Sequence, residues 1–489
     1  MKRLWFIISV MLVIAACSAK DPAQQTSTGG TAASNGPIIS AVASGPADIN
    51  IQVQGLSGGV AKLIGVYAEN RYLADSSAVD ANGKFRFANP NGYTPGLFFV
   101  LLPDNSNFQL LLDQDQEMNV VTQSGAMAAT MQVTGSLDNE LMYQSFAFER
   151  EQRAKFDPIS QRMKQLTPGT PEHTQAKAQF DAEIAKRKGY LDNLQKEHPN
   201  SFFTKFKIAG QNPELKEFKN PDGSTDQYAQ VHYFRTHMWD NVDFNDERLV
   251  RTPVILNKLK RYLTELTVQH PDSLNLAADF LLQKVLNKPE YFKFFANWIT
   301  LQYEPTKTTL MDPEAVFTHM VQTYFTYERA FWSDSVQVHG LQLRAHEMSA
   351  SLVGKQGPNV TAKDQNGQTR SLLDSKKPYI VVYMYDPNCD NCAIETPKLA
   401  QFYQANKSLV DVFGIVLNTN DQEWKNYIAK NGLQEWTHVY DPTNRAIYAT
   451  YFVDHTPEIY VLNPDRKIIA KNLKTEQIAE VINRDQSGS

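Results

Sequence analysis

The residues best suited to chemistry in this sequence are Cys389 and Cys392, which are separated by two residues. A cysteine thiolate attacks disulfides, and a second thiol one helical turn away can displace the mixed disulfide that forms. The only other one of the 3 cysteines is Cys17, near the N-terminus. Because so few cysteines argue against a disulfide-stapled domain, the pair is predicted to exchange thiols for disulfides.

Two other interpretations of the pair are a structural disulfide and a zinc site. A disulfide that closes a loop of about four residues gains only roughly 2 kcal/mol from chain entropy. Structural zinc usually takes four ligands, and His438 and His455 are the side chains that could join the two cysteines. Thiol exchange needs neither a metal nor a cofactor, so we predict none.

A strand and a helix are expected to position the pair. The run from Pro378 to Met384 predicts a buried strand, and the run from Ile394 to Ala405 predicts a helix. Cys389 then lies at the N-terminus of the helix, where free N–H groups lower the pKa of a thiol. Asp390 opposes this effect, because a neighbouring carboxylate disfavours the thiolate. We therefore expect a reducing pair, with a reduction potential nearer about -270 mV than about -120 mV.

The segment from Cys389 to Cys392 resembles the active site of the thioredoxin fold and, more narrowly, of the TlpA/ResA-like thiol:disulfide oxidoreductases of bacterial envelopes. Glu395 follows the second cysteine by three residues, as in the helix of that family. Thr456-Pro457 precedes the strand predicted from Glu458 to Leu462, where thioredoxins have a cis-proline that faces the active site. The resemblance implies catalytic roles for both cysteines and for Glu395 as a proton acceptor, and substrate binding by Thr456 and Pro457.

The N-terminus has the pattern of a lipoprotein signal. Two basic residues precede an apolar run from Leu4 to Ala16, and the small residues before Cys17 resemble the lipobox of bacterial lipoproteins. We predict a signal peptide at 1–16, a lipid on Cys17 and a flexible tether at 17–46. The alternative is a plain secretory signal with an incidental Cys17. The anchor predicts a location in the cell envelope, with the outer membrane favoured and the domains facing the periplasm.

The patterns after the tether predict a multi-domain protein. Alternating apolar and polar residues predict an N-terminal antiparallel β domain at 47–136, and helical periodicity predicts a central all-α domain at 137–351. Alternating strands and helices predict a C-terminal α/β domain with a thioredoxin-like fold at 352–489. The first two domains resemble the domains of unknown function that precede such thioredoxin domains in lipoproteins of the Bacteroidetes.

Two local signals give more detailed expectations for the β and helical domains. Asn82-Gly83 lies between strand-like segments and predicts the turn of a hairpin. Thr252-Pro253 predicts the start of a helix, and His270-Pro271 predicts its end.

Composition and charge limit the range of functions. The net charge is -5 and 21% of the residues are charged, so the sequence has no basic surface for nucleic acid. We predict an envelope thiol:disulfide oxidoreductase that reduces disulfide-containing client proteins in the periplasm, with electrons from an unidentified membrane donor. The alternatives are a disulfide isomerase or oxidase, and a binding or scaffold lipoprotein with an accessory thioredoxin domain.

Overall fold

The computed structural model describes residues 38–114, 116–448 and 450–488. The predicted signal peptide, Cys17 and most of the predicted tether therefore lie outside the described residues. Tertiary contacts divide the described chain into two compact units. The first unit comprises residues 38–268 and 276–295, and the second comprises residues 269–275 and 296–488.

Two β-sheets open the first unit. Their strands are β1 (Ala47–Gln54), β2 (Val60–Tyr67), β3 (Asn70–Ala78), β4 (Lys84–Asn89), β5 (Gly96–Leu101), β6 (Asn107–Leu112), β7 (Gln116–Gln123) and β8 (Gln132–Thr134). The strand orders are β4-β1-β7-β8 and β3-β2-β5-β6, and both sheets contribute to one apolar core. Neighbouring strands are antiparallel, except that β1 and β7 are parallel.

The turn at Asn82-Gly83 is present, but it does not close a hairpin, so that expectation is wrong. β3 pairs with β2 and β4 pairs with β1, and the turn therefore carries the chain from one sheet to the other. Gly83 has a φ of 72°, which glycine adopts at little cost. This local preference sets the turn, whereas the burial of Phe85 and Phe87 between the sheets decides which strands pair.

Helices dominate the chain from residue 137 to residue 348. Together with a short helix before β8, they are α1 (Met127–Thr130), α2 (Leu137–Gln165), α3 (Pro171–Glu197), α4 (Phe202–Ala209), α5 (Gln227–His237), α6 (Pro253–Thr264), α7 (Pro271–Val285), α8 (Pro289–Gln302), α9 (Pro313–Tyr324) and α10 (Ser335–Met348). α6 begins at Pro253 as predicted. It ends at Thr264, and Pro271 begins α7 instead of ending α6, because proline at the first helical position loses no helical hydrogen bond.

A mixed sheet with flanking helices forms most of the second unit. Its strands are β9 (Thr361–Lys363), β10 (Thr369–Ser371), β11 (Tyr379–Tyr385), β12 (Val410–Val416), β13 (Thr437–Tyr440), β14 (Glu458–Leu462) and β15 (Ile468–Ala470). Its helices are α11 (Asp390–Asn406), α12 (Asp421–Asn431), α13 (Arg445–Tyr448) and α14 (Thr475–Ser487). The predicted succession of β, helical and α/β parts is confirmed.

Strand β11 lies inside this sheet and leads directly to the cysteine pair. The strand order is β10-β9-β13-β12-β11-β14-β15, with β11 parallel to β12 and antiparallel to β14. Every residue of β11 is buried, because apolar clusters cover both faces of the sheet. Tyr383 and Tyr385 face the cluster that contains Cys392, whereas Val382 and Met384 face the opposite cluster.

Candidate functional site

Cys389 lies at the point where the chain passes from β11 into α11. It is the N-cap residue of the helix, and its Sγ accepts a hydrogen bond from the backbone N–H of Cys392 at 3.3 Å. The turn before it is fixed by Asp386, whose carbonyl oxygen accepts from the Cys389 N–H at 3.1 Å. The first four N–H groups of a helix have no partner within the helix, so a sulfur at the N-cap receives their hydrogen bonds. Cys389 is partly exposed and can meet a substrate.

Cys392 is one turn further along α11 and is fully buried. Burial raises the pKa of its thiol to about 12, with a further contribution from the hydrogen bond between the two thiols. At neutral pH this thiol is therefore protonated. We therefore expect Cys392 to react only after Cys389 has formed a mixed disulfide.

The Cys389 thiol has the opposite tendency. Burial alone raises its pKa, but hydrogen bonds from the Cys392 thiol, the Thr456 side chain and backbone N–H groups of the first helical turn outweigh burial. The pKa of Cys389 therefore lies below its ordinary value. Asp390 is exposed, and the expectation that its carboxylate opposes this thiolate stays a prediction.

The peptide bond between Thr456 and Pro457 is cis, as the sequence predicts. The main-chain carbonyl oxygen of Thr456 accepts a hydrogen bond from the Cys389 thiol at 3.2 Å. Pro457 leads directly into β14, whose first residue, Glu458, pairs with Met384 near the end of β11. The pairing of two adjacent strands thus brings together the cysteine loop and the proline loop, which are far apart in sequence.

Glu395 is half-buried at the contact between α11 and α14. Its Oε1 accepts from Nζ of Lys398 at 2.7 Å, and its Oε2 accepts from the backbone N–H and the hydroxyl of Thr475 at 3.2 Å and 2.9 Å. Burial opposes ionisation, but these hydrogen bonds outweigh it and hold the pKa of Glu395 below its ordinary value. The carboxylate therefore satisfies the start of α14, and its role as a proton acceptor for Cys392 stays a prediction.

The two histidines considered as zinc ligands lie in different settings. His438 is buried, its Nδ1 is 3.0 Å from the Tyr385 hydroxyl, and its Nε2 is 3.0 Å from the Leu433 carbonyl oxygen. His455 is exposed beside Thr456. Within 38–114, 116–448 and 450–488, no group of three or more His, Cys, Asp or Glu side chains is arranged to hold a metal ion.

A group of hydroxyl side chains beneath Cys392 was not predicted from the sequence. Thr396 lies on the same face of α11 as Cys392, and its hydroxyl contacts those of Tyr383 and Tyr427 at 2.7 Å each. The four-residue spacing from Cys392 to Thr396 and the placement of tyrosines at alternate positions of β11 could have indicated two of the three residues. Tyr427 lies on α12 and has no such local signal.

Comparison with known families identifies the region that contains this site. A family model described as the AhpC/TSA family matches residues 353–471. The C-terminal domain is a thioredoxin-like oxidoreductase domain of the AhpC/TSA family. A second model, a domain of unknown function (DUF5106), matches residues 186–340, before the thioredoxin-like domain. Among curated proteins, none matches this chain.

Several solved structures are similar to parts of the chain. A thioredoxin-like protein from Bacteroides caccae is 16% identical, and the match covers 56% of this chain and 99% of that one, with a TM-score of 0.46. A domain of a possible thiol-disulfide isomerase from Cytophaga hutchinsonii is 29% identical over 28% of this chain and 95% of its own, with a TM-score of 0.27. The thioredoxin domain of a thiol-disulfide oxidoreductase from Bacteroides vulgatus is 26% identical over 27% and 96%, with a TM-score of 0.26.

Cys17 lies outside the described residues, so lipid attachment there stays a prediction. In the part of the chain that the structure describes, helices are either too short or too polar to cross a membrane.

Proposed function

We propose that this chain is an envelope thiol:disulfide oxidoreductase that reduces client proteins through Cys389 and Cys392. The observation that carries the proposal is that the two thiols at the start of α11 differ in exposure and in the direction of their pKa shifts. Cys389 is partly exposed and its pKa is lowered, whereas Cys392 is buried and its pKa is raised to about 12. At neutral pH we expect Cys389 to be the nucleophile, whereas Cys392 remains protonated.

The reaction consists of two thiol–disulfide exchanges. In the first, the Cys389 thiolate attacks a client disulfide, so that one client sulfur leaves as a thiolate and the other forms a mixed disulfide with Cys389. In the second, Cys392 attacks Cys389, which releases the second client sulfur and forms the Cys389–Cys392 disulfide. Two electrons pass from the chain to the client, and the client gains two thiols.

Thr456 and Pro457 are proposed to bind the client backbone. Because the Thr456 carbonyl oxygen lies 3.2 Å from the Cys389 sulfur, a disulfide that approaches this sulfur must run beside the proline loop. Both residues are half-buried, which leaves part of the loop open to a substrate. An extended client segment can then form main-chain hydrogen bonds there, in the way that peptides add to sheet edges.

The reducing direction is proposed from the groups that stabilise the Cys389 thiolate. The main contributors are thiol, hydroxyl and backbone N–H groups, which are neutral, and neutral donors stabilise an anion less than a nearby cation does. We expect a reduction potential near that of thioredoxin, about -270 mV, measured by equilibration with glutathione buffers. A value above about -180 mV would instead favour the isomerase or oxidase alternative.

We further propose a lipid anchor on Cys17, an outer-membrane location with the domains in the periplasm, and a membrane donor that returns electrons to the oxidised pair. The support for the anchor is the sequence pattern before Cys17. Labelling of cells with radioactive palmitate tests it, because the native chain is expected to incorporate the label and Cys17→Ala is not. Label retained by Cys17→Ala would exclude this attachment site.

Trapping of mixed disulfides tests the proposed function as a whole. Cys392→Ser removes the resolving thiol, so envelope proteins that the chain attacks should remain linked to Cys389 and separate from it only under reducing conditions. The matched control is the double variant Cys389→Ser/Cys392→Ser, which keeps the fold but has no nucleophile. If Cys392→Ser traps no more protein than this control, the chain does not reduce clients, and the scaffold alternative is favoured.

A further inference from the structure

Three buried hydroxyls form a continuous chain beneath Cys392. Oη of Tyr383 is 2.7 Å from Oγ1 of Thr396, which is 2.7 Å from Oη of Tyr427. Oη of Tyr427 then donates to the main-chain carbonyl oxygen of Cys392 at 3.3 Å. Each hydroxyl has one proton, so the chain runs in one direction, from Tyr383 through Thr396 and Tyr427 to the backbone of Cys392.

The hydroxyl chain joins three different elements and is held by packing. Tyr383 belongs to β11, Thr396 to α11 and Tyr427 to α12. The Tyr385 ring lies between the other two tyrosine rings, with centroids 5.2 Å from Tyr383 and 5.3 Å from Tyr427. Because the rings are stacked in a close-packed core, the hydroxyls have little freedom to move away from Cys392.

The side chains that pack against Cys392 from β11 and α12 are uncharged at neutral pH. Burial raises the pKa of all three tyrosines that face it, Tyr383 and Tyr385 from β11 and Tyr427 from α12. Behind Tyr385, burial lowers the pKa of His438 to about 4, so this ring is also neutral. On α11 itself, the Glu395 carboxylate is bound to Lys398 and Thr475.

We propose that the hydroxyl chain of Tyr383, Thr396 and Tyr427 positions Cys392 for attack on the mixed disulfide, once Cys392 has lost its proton to solvent. The step balances without another reactant. The Cys392 thiolate attacks the Cys389 sulfur, the Cys389–Cys392 bond forms, the bond between Cys389 and the client sulfur breaks, and the client sulfur leaves as a thiolate that exchanges protons with solvent. This inference rests on the proposed function, since it concerns the second step of the same reaction.

The role of the hydroxyls follows from their end point. A hydrogen bond to the Cys392 carbonyl oxygen fixes the first turn of α11, and with it the distance between the two sulfurs. A misplacement of a reacting atom by about 1 Å can slow a reaction about 100-fold. The hydroxyls touch neither substrate nor reacting sulfur in this arrangement, so Tyr427, Thr396 and Tyr383 are positioning residues.

Reaction with dithiobis(nitrobenzoate) separates the two steps. Cys389 attacks the reagent and releases one coloured thionitrobenzoate in a first phase, and Cys392 releases the second one when it resolves the mixed disulfide. All variants carry Cys17→Ala, so that only the two active-site thiols of the full chain react. The first phase therefore measures the proposed function, and the second phase measures the further inference.

We expect Tyr427→Phe to slow the second phase about tenfold and to leave the first phase unchanged, because a buried hydrogen-bond partner of Cys392 is lost. Thr396→Val has nearly the same shape, breaks the chain in its middle and is expected to act in the same direction. The matched control is Tyr385→Phe, a neighbouring buried tyrosine whose hydroxyl contacts His438 instead of the hydroxyl chain. It should affect stability but not the second phase.

The pH dependence of the second phase tests whether Cys392 must lose its proton before it attacks. Because the pKa of Cys392 is raised to about 12, the native second phase should rise about tenfold per pH unit between about pH 6 and 9. Tyr427→Phe should lower this line without bending it. A plateau in the native profile, equal slowing by Tyr385→Phe, or native second-phase rates in Tyr427→Phe and Thr396→Val would each overturn the inference.

Discussion

The Nζ atom of Lys471 lies 3.3 Å from Oε1 of Glu314, and both side chains are almost fully buried in the second unit. Lys471 follows β15, and Glu314 is in the first turn of α9, so this ion pair joins a helix before the thioredoxin-like domain to its sheet. Asp312 lies 3.9 Å from the same Nζ, and the charge of the buried Glu458 contributes to raising the pKa of Lys471. The carboxylates outnumber the lysine, and burial raises the pKa of Asp312 and of Glu458.

This cluster predicts a pH-dependent effect of Lys471→Met. We expect a loss of roughly 3–5 kcal/mol in the free energy of unfolding near pH 8, because buried carboxylates lose their cation. An acid with a raised pKa binds more protons when folded, so its stabilising contribution is greatest at low pH and is lost as the pH rises. The loss in Lys471→Met should therefore be smaller near pH 5, where Asp312 and Glu458 take up protons.

Urea denaturation at the two pH values measures this effect. The exposed Lys467, in the turn between β14 and β15, provides the matched control. Lys467→Met is expected to change the free energy of unfolding by less than about 0.5 kcal/mol. If Lys471→Met lowered the free energy of unfolding by the same amount at both pH values, the charge of Lys471 would not be what stabilises the buried carboxylates.

The two thiols are predicted to differ strongly in their rates of alkylation. Because the pKa of Cys389 is lowered, Cys389 should react with iodoacetamide at pH 7 faster than a free cysteine does. Cys392 should be inert at this pH in Cys389→Ser, since its pKa is raised to about 12 and it is buried. Mass spectrometry of peptides after timed alkylation gives both rates, and similar rates for the two thiols would contradict the asymmetry on which the proposed function depends.

Glu395→Gln distinguishes a structural carboxylate from a proton acceptor. We expect a loss of about 1 kcal/mol or less in stability at neutral pH, because the charge that binds Lys398 and the start of α14 is removed. Because the pKa of Glu395 is lower in the folded chain than in the unfolded chain, its carboxylate stabilises the fold when the pH lies above the ordinary carboxyl pKa. This contribution is lost as the pH falls through the pKa of the folded chain. Glu395→Gln should therefore differ less from the native chain near pH 3.

The rate of mixed-disulfide resolution provides the second measurement on Glu395→Gln. A proton acceptor contributes about 100-fold or more to the rate of its step. A purely structural carboxylate predicts no such slowing, and the exposed Glu476→Gln, on the same helix start, controls for the removed charge. Slowing of that size would establish Glu395 as the acceptor of the Cys392 proton.

His438 is predicted to make the chain less stable in mild acid. Burial lowers its pKa from 6.5 to about 4. Between these two pH values His438 is therefore protonated in the unfolded chain but neutral in the folded chain. The stability that this histidine contributes is complete above pH 6.5 and is lost as the pH falls toward 4, by roughly 3 kcal/mol at most. Urea denaturation across this range should show a weaker pH dependence in His438→Gln than in the native chain. The exposed His455→Gln should behave like the native chain in this comparison.

Features that depend on local periodicity and spacing can be predicted from the order of the residues alone. The apolar run of β11 and the start of α6 at Pro253 can be recognised within a few residues, because strands and helices repeat with fixed periods and begin at characteristic residues. The spacing from Cys389 to Cys392 likewise places the first sulfur at a helix N-terminus. Four-residue β13 has no such signal, since it is too short to show a period.

Contacts between groups that are distant in sequence are visible only in the folded chain. The partner of Glu395 at Thr475 is 80 residues away, and Tyr427, which contacts the Cys392 backbone, is 35 residues away. The same holds for the net pKa of Cys389, because Thr456, whose side chain helps to lower it, lies 67 residues away in the loop before β14. Contacts of this kind depend on how the elements pack, and a pattern that repeats every two or four residues carries no information about them.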